Sequence, residues 1–315
     1  MIAPLIVVVG SYATGLTMRV QRFPGAGETV LGTGYRTDFG GKGSNQAVGC
    51  ARLGAAVHFV AKIGNDAFGE MARRLYREEC ISVESLITAE DAPTGVGFIL
   101  VEESSGNNCI ALDAGANELL SAAEVENCDA LQHARVVMSQ LEIPVDTAGA
   151  ALANAKKRGA IAILNPAPAR ALPDAVLQSV DILTPNESEA CVLTGRDCSA
   201  APEALAADLI RRGVKNVVIT QGEKGALLVT PASSRHFPAM RVKAVDTTGA
   251  GDAFNAGMAT ALAFGASLED AVQFGTITGG LAVTRHGVVP ALPSRAEVME
   301  FCRQGGIAAP EWMLP

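Results

Sequence analysis

A chain of 315 residues, 49% hydrophobic and 18% charged, has ample material for a buried core and sits at the upper end of what one α/β domain holds. Its formal charge of −8 excludes the basic face that nucleic acid or an anionic membrane surface would require, which leaves a small molecule as the expected ligand. The seven cysteines (50, 80, 109, 128, 191, 198 and 302) are odd in number and form no Cys-x-x-Cys or Cys/His cluster, so neither a disulfide framework nor a zinc site is expected and a reduced, cytoplasmic setting is.

The opening MIAPLIVVVG has an apolar run of about eight residues without a basic flank, too short to span a membrane and unlike a signal peptide. It is expected to form a first buried strand. Thr17 to Thr33 and Thr94 to Leu112 then show extended segments separated by turn residues, with no helical spacing between them. They predict a small separate β-sheet, a lid built from about 12–35 and 93–113 on a single domain over 1–315. From about residue 130 the pattern changes. The runs 135–138, 160–164, 181–184 and 216–220 are strand-like, and Val145 to Arg158, Glu187 to Leu193 and Pro202 to Arg212 have helical spacing. Such alternation implies a mostly parallel central sheet covered by helices on both faces, a three-layer α/β/α class in which ligands bind at the C-terminal ends of the strands. Ser121 with Glu124, and Ser294 with Glu297, have capping-box spacing and mark two helix starts.

Four stretches carry candidate chemistry. The first, DTTGAGDAFNAG (246–257), follows a strand-like MRVKAV and precedes a helical pattern, so its glycines should set free amides at the positive end of a helix. A carboxylate there repels a phosphate but is well placed to take a proton from a hydroxyl attacking one, which singles out Asp252; the alternative is an Asp that only caps the helix. The second, FGGKGSNQAV (39–48), fails the P-loop template, because Arg36 stands where the first glycine belongs and Gly43 where Ser or Thr should be. What remains is a turn whose amides, with Lys42 and Asn45, would suit polyol hydroxyls, or a glycine turn ahead of a packed helix. In the third, TPNESEA, Asn186 and Glu189 lie on one face of a first helical turn, able to serve phosphate and hydrated magnesium or simply to cap the helix. The fourth, TQGEKG (220–225), is a turn that could border a nucleotide.

Together, and in this order, GGKGSNQAVGCARLG, the LEIP around Glu142, LNPAPAR (164–170), TPNESEA and DTTGAGDAF resemble the ribokinase family of carbohydrate kinases, of the PfkB type, over nearly the whole chain. NPAPAR and GETV point to the ribokinase branch rather than to adenosine kinases or fructokinases.

The resemblance implies an ATP- and magnesium-dependent kinase of a small sugar, with Asp252 as catalytic base and the amides of Gly249, Ala250 and Gly251 on the transferring γ-phosphoryl group. It places the sugar on Gly41, Lys42, Gly43, Asn45 and Glu142. It ties Asn186 and Glu189 to phosphate and magnesium, and lines the ATP site with Thr220, Gly222, Lys224, Gly225 and Thr276. It implies a monovalent cation, potassium for example, near Asp246, Thr248 and the carbonyls of Ala282, Arg285 and Gly287, although Ala291 stands where ribokinases often have a serine ligand. It also implies a homodimer joined through the lid.

Two alternatives remain at this point: a nucleoside kinase of the same fold, and a catalytically silent sugar- or nucleotide-binding regulator. A dinucleotide-dependent oxidoreductase does not, because GSYATG after the first strand is not G-x-G-x-x-G. One departure from the family bears on the acceptor. Ala13 and Gly15 stand where ribokinases carry an Asn and an Asp that bond sugar hydroxyls, so D-ribose is expected not to be the best substrate; Tyr12 and Met18 are candidates for apolar contact with another acceptor.

Overall fold

In the computed structural model, which describes residues 3–305 and 310–313, the strands run β1 (Leu5–Val9), β2 (Ala13–Val20), β3 (Gly32–Gly40), β4 (Ala56–Gly64), β5 (Leu86–Ala89), β6 (Gly95–Glu102), β7 (Asn108–Asp113), β8 (Val136–Ser139), β9 (Ile161–Leu164), β10 (Ile182–Leu183), β11 (Asn216–Thr220), β12 (Ala226–Val229) and β13 (Ser234–Phe237). The helices are α1 (Lys42–Arg52), α2 (Ala67–Glu78), α3 (Ala122–Glu126), α4 (Val145–Arg158), α5 (Asp174–Leu177), α6 (Glu187–Thr194), α7 (Pro202–Arg211), α8 (Ala250–Ala263), α9 (Leu268–Ala282) and α10 (Arg295–Gly305). Nine strands form one sheet in the order β13-β12-β11-β10-β9-β8-β1-β4-β5. It is parallel from β5 to β11, with β12 and β13 added antiparallel at one edge.

The central strands read as unbroken apolar runs because both faces are covered. Along β1, Ile6 and Val8 enter the core beneath α1, α2, α8 and α9, while Val7 and Val9 enter the opposite core beneath α4, α6 and α7. In β11, Val218 faces the first core and Val217 and Ile219 the second. The helix spacings of 145–158, 187–193 and 202–212 correspond to α4, α6 and α7, and both capping boxes close with reciprocal bonds, at Ser121 with Glu124 and at Ser294 with Glu297. Among the described residues no helix is long and apolar enough to cross a membrane.

One expected strand is absent. Residues 240–245, MRVKAV, form no strand, although their apolar alternation suggests one. They leave the sheet at its β13 edge and cross to the end of α9, where the Val245 amide donates to Val283 O at 2.7 Å. Among the described residues no strand pairs with them, and Val245 is 46% exposed.

A second sheet, ordered β3-β2-β6-β7, gathers the two stretches read as separate extended segments. Its first strand, β2, begins at Ala13, and β3 runs past residue 35 to Gly40 at the threshold of α1. Asp66 ties this sheet to the main body. It caps α2 by accepting from the Gly69 amide at 2.8 Å and accepts from the amide and hydroxyl of Thr94, each at 2.7 Å, just before β6 begins. Burial alone would raise the Asp66 carboxyl, but the bonds from Thr94 and Gly69 outweigh it and hold the group below its ordinary 3.8. A carboxylate depressed by folding stabilises the fold above its unfolded value, and that stabilisation is lost as pH falls. Asp66→Ala is therefore expected to cost about 1–3 kcal/mol at neutral pH through the lost cap and the orphaned Thr94 donors. In urea unfolding over a pH series, the gap between variant and wild type should close as pH drops below 3.8.

Candidate active site

The C-terminal ends of β1, β8, β9, β10 and β11 converge with the starts of α1, α6 and α8. Glycine permits this at two turns. Gly41, the residue before α1, has φ 87°, and a side chain there would lie 2.7 Å from Tyr12 Cα and 2.8 Å from Ser11 O. Gly249, before α8, has φ 80° and abuts Val288. The first turn thus brings α1 against the backbone of Ser11 and Tyr12, and the second brings α8 against the Val288 side chain.

Asp252 lies in the first turn of α8 and is 5% exposed. Its Oδ2 accepts from Asn45 Nδ2 at 2.8 Å and its Oδ1 from Gln46 Nε2 at 3.0 Å. Both donors come from α1, so the two glycine turns recognised in the sequence meet at one carboxylate. Asn45 Oδ1 is buried with no partner among the described residues, an acceptor suited to a ligand hydroxyl. The Lys42 ammonium is held above its ordinary 10.5, first by Asp252 against the opposing effect of burial, then by Glu142 and Glu189, and it is charged at neutral pH.

The amides of the first turn of α8 divide. Ala250 N donates to Thr247 O at 3.2 Å and is not free, which corrects its expected place in the anion cradle. Those of Gly249, Gly251 and Asp252 make no backbone hydrogen bond among the described residues, and the space beside Gly251 is open. Three N–H groups therefore remain at a helix N-terminus, enough to hold an anion.

The expected sugar turn differs from its sequence reading. The amides of Lys42, Gly43, Ser44 and Asn45 are already bonded, to Glu142 Oε2 (2.8 Å), Ser11 Oγ (3.4 Å), Ser11 O (2.9 Å) and Gly41 O (2.9 Å). Recognition there falls to side chains instead. Ser11 Oγ donates to Glu142 Oε2 at 2.6 Å, and both residues line a cavity of about 640 Å³ with Ala13, Asn117, Pro168 and Arg170, whereas Asp252 does not reach its wall. Tyr12 makes no wall of this cavity. Its ring is fully buried, edge-on to Tyr76, with its hydroxyl on Thr14, so it serves the core, and Met18 packs against Gly32. At Gly15 an added side chain would contact Ile99 at 3.4 Å and Asp38 at 3.7 Å, and Asp38 is engaged by Arg36 and Thr17.

Asn186 and Glu189 form a capping box on α6: Asn186 Oδ1 accepts from Glu189 N and Glu189 Oε2 from Asn186 N, each at 2.8 Å. The capping alternative is thus realised. Glu189 sits in the field of the site's charges: its carboxyl is held above the ordinary 4.5, first by burial, against the Asn186 amide bond and Lys42, with Asp252 adding to the rise. Its second oxygen suits magnesium held by one carboxylate, phosphate and water. Thr220 ends β11 and bridges to Asn186; Gly222 and Lys224 form the turn into β12, and Gly225, with φ 106°, passes within contact of Phe237 O. Thr276 is less available than expected, being 6% exposed with its hydroxyl on Gln273 O at 2.7 Å. Asp246 draws its expected cluster together by accepting from Thr248 N and Gly287 N, each at 3.0 Å. Ala282 and Arg285 are joined by the Arg285 amide on Ala282 O, and Ala291 is buried. What these residues would offer a cation is oxygen alone, from the Asp246 carboxylate and backbone carbonyls, and the Ala291 side chain adds none.

Sequence reasoning stopped one residue short at Asn45: Gln46 also reaches Asp252. It passed over Ser11, Gln140 and Asn165 as well, because Ser, Gln and Asn in apolar runs carry no motif.

A model of the pfkB family carbohydrate kinases matches residues 3–295. The chain belongs to the pfkB family. Among its relatives, the ribokinase of Haemophilus influenzae is 38% identical, covering 94% of this chain and 97% of its own. The deoxyribokinase of Salmonella typhi is 33% identical over 94% and 98%. An Arabidopsis thaliana ribokinase structure complexed with ribose and ATP superposes with a TM-score of 0.87 at 31% identity, covering 95% and 98%. The pfkB fold is that of the three-layer molecule described above, with the GGKG and GAGD turns at the ends of one sheet.

Proposed function

We propose that this kinase transfers the γ-phosphoryl group of ATP to a hydroxyl of a small, pentose-like sugar, with Asp252 as general base. The observation that carries this reading is the Asp252 carboxylate, buried yet accepting from two side-chain amides, within one helical turn of free backbone amides. Each carboxylate oxygen has two lone pairs and uses one, so each can still accept a hydroxyl proton. Asn45 Oδ1 and Glu142 would orient that hydroxyl, and Lys42 would balance the charge of the approaching phosphoryl group. The Gly249 and Gly251 amides would face its oxygens, where charge develops during transfer. Thr220, Gly222, Lys224 and Gly225 would border the nucleotide, with Asn186 and Glu189 at its phosphates. Magnesium bound there through Glu189 supplies charge neutralisation on the phosphates. A monovalent cation would sit at Asp246, Thr248 and the Ala282, Arg285 and Gly287 carbonyls, steadying the loop that leads into α8. Asp252→Asn keeps the shape and removes the proton acceptor; kcat should fall by about 10² to 10⁴ while ATP still binds by calorimetry. A variant turning over at the wild-type rate would refute the assignment.

D-ribose is, on this reading, not the preferred acceptor. Ala13 lines the cavity without a polar group, and Gly15 offers no side chain, with Asp38 beside it already engaged by Arg36 and Thr17. Each missing charged or polar partner costs about 1.5–3 kcal/mol, together two to three decades in kcat/KM. An acceptor with fewer hydroxyls there, such as a deoxy sugar, or one with a less polar group, such as a nucleoside, fits better. The resemblance to a deoxyribokinase agrees with the first. Comparing kcat/KM for D-ribose with deoxy sugars, other pentoses, ketohexoses, polyols and nucleosides decides it; a clear preference for ribose overturns it.

The second sheet is the proposed lid and also the proposed dimer surface. Tyr35, Phe98, Ile110 and Leu112 are each more than half exposed on it, and Leu31 is 92% exposed just before β3. The pairing register puts Tyr35 and Phe98 on one face of the sheet and Ile110 and Leu112 on the other, and apolar side chains this exposed are a liability unless a second copy covers them. Light scattering at micromolar concentration should show a dimer that Phe98→Asp with Ile110→Asp converts to monomer; a monomeric wild type rules the dimer out.

A further inference from the structure

Gln46 is fully buried and every hydrogen-bonding position of its amide but one lone pair is in use. Its Nε2 donates to Asp252 Oδ1 at 3.0 Å and to Asn165 Oδ1 at 3.1 Å, and its Oε1 accepts from Gln140 Nε2 at 2.7 Å. The polarity of this arrangement is fixed by chemistry. An ionised carboxylate only accepts, so the Gln46 nitrogen must face Asp252; its oxygen must then face Gln140, whose own nitrogen must point back. Beyond Asn165 the bonds continue in one direction: Asn165 Nδ2 to Thr184 O at 3.1 Å, Thr184 Oγ1 to Asn255 Oδ1 at 2.7 Å, and Asn255 Nδ2 to Gly251 O at 2.8 Å. The path leaves the Asp252 side chain and returns to the carbonyl of the residue before it.

We propose that Gln46 is a positioning residue for Asp252, itself oriented by Gln140 and Asn165, which sets the plane of the carboxylate for proton transfer. A carboxylate held at one oxygen can pivot about its Cβ–Cγ bond, and the Asn45 bond alone would leave it that freedom. With Gln46 on the other oxygen, both are pinned and the remaining lone pairs point in fixed directions. Asn45 cannot hold this orientation unaided if its own amide also engages the acceptor sugar. Gln46, with no exposed atom, does not touch the sugar and acts only through Asp252. The ring through Asn165, Thr184 and Asn255 fixes the backbone on which Asp252 stands, so side chain and main chain are set by one network. The inference rests on the reading of Asp252 as general base.

The test is steady-state kinetics on the full chain with its best acceptor. Gln46→Met keeps the length and removes both donors; kcat should fall about 10- to 100-fold, the range expected for a misdirected catalytic group, while KM for sugar and for ATP stays within about threefold. In an Asp252→Asn background the same substitution should cost less than about twofold, because the carboxylate it serves is gone. Gln140→Met removes only the bond that orients Gln46 and should cost about 3- to 10-fold in kcat, adding nothing to Gln46→Met in the double variant. Unchanged kcat in Gln46→Met, or equal losses with and without the Asp252 carboxylate, overturns the proposal. So does a loss of kcat with a parallel rise in both KM values, the pattern of general loosening. Should Gln46→Met fail to unfold cooperatively in urea, Gln140→Met decides alone, and a wild-type kcat there overturns it. Asp252→Asn at full turnover would remove the base reading and this proposal with it, whereas an inactive Asp252→Asn beside a fully active Gln46→Met removes this proposal only.

Discussion

A carboxylate taken out of water must be met by donors, and at Asp252 that requirement organises the molecule around it. The donors, Asn45 and Gln46, lie at the start of α1, more than two hundred residues away in the chain. For them to arrive, β3 must lead straight into α1 over Gly41, and α8 must begin at Gly249 with its axis close to α1. The glycines make the approach sterically possible and the hydrogen bonds make it favourable. The parallel sheet supplies the common edge on which Ser11, Gln140, Asn165 and Thr184 stand, each just beyond the end of a strand.

The same requirement explains what the sequence shows and what it hides. The layered architecture is legible because both cores impose their periods directly: β1 sends Ile6 and Val8 to one face and Val7 and Val9 to the other, and α4 repeats its apolar positions at helical spacing. The two glycine turns are legible because positive φ demands glycine at both, with close backbone approach added at Gly41 and the Val288 side chain at Gly249. Their partnership with one another is not, since nothing local at Asn45 or Gln46 records an acid so distant in the chain. Residues 240–245 mislead for the converse reason: their alternation resembles a strand, yet a strand needs a neighbour, and the sheet has already ended at β13.

The Asn186 and Glu189 pair shows that a cap and a ligand are not exclusive readings. Each residue satisfies the other's backbone amide, which fixes both side chains at the mouth of α6. One Glu189 oxygen is engaged in that task. The other is left in the electrostatic field of Lys42 and Asp252, where burial disfavours its charge. The capping box therefore acts as a mount, holding a carboxylate in position with no further side chain. The turn amides of α1 illustrate the opposite outcome, being consumed by Ser11, Glu142 and Gly41 before any ligand approaches.

The parallel pairing of β2 with β6 joins two strands far apart in the chain. Thr14 lies beside Val96, and the intervening chain contains β3, α1, β4, α2 and β5, so the pair cannot close until that whole unit has returned to the start of the molecule. The hairpin of β2 and β3, made early, would wait with its β2 edge unpaired for a strand synthesised much later. Such a nascent hairpin is a point at which two growing chains can pair with one another, and holdase chaperones or slow translation near β6 would act on that interval.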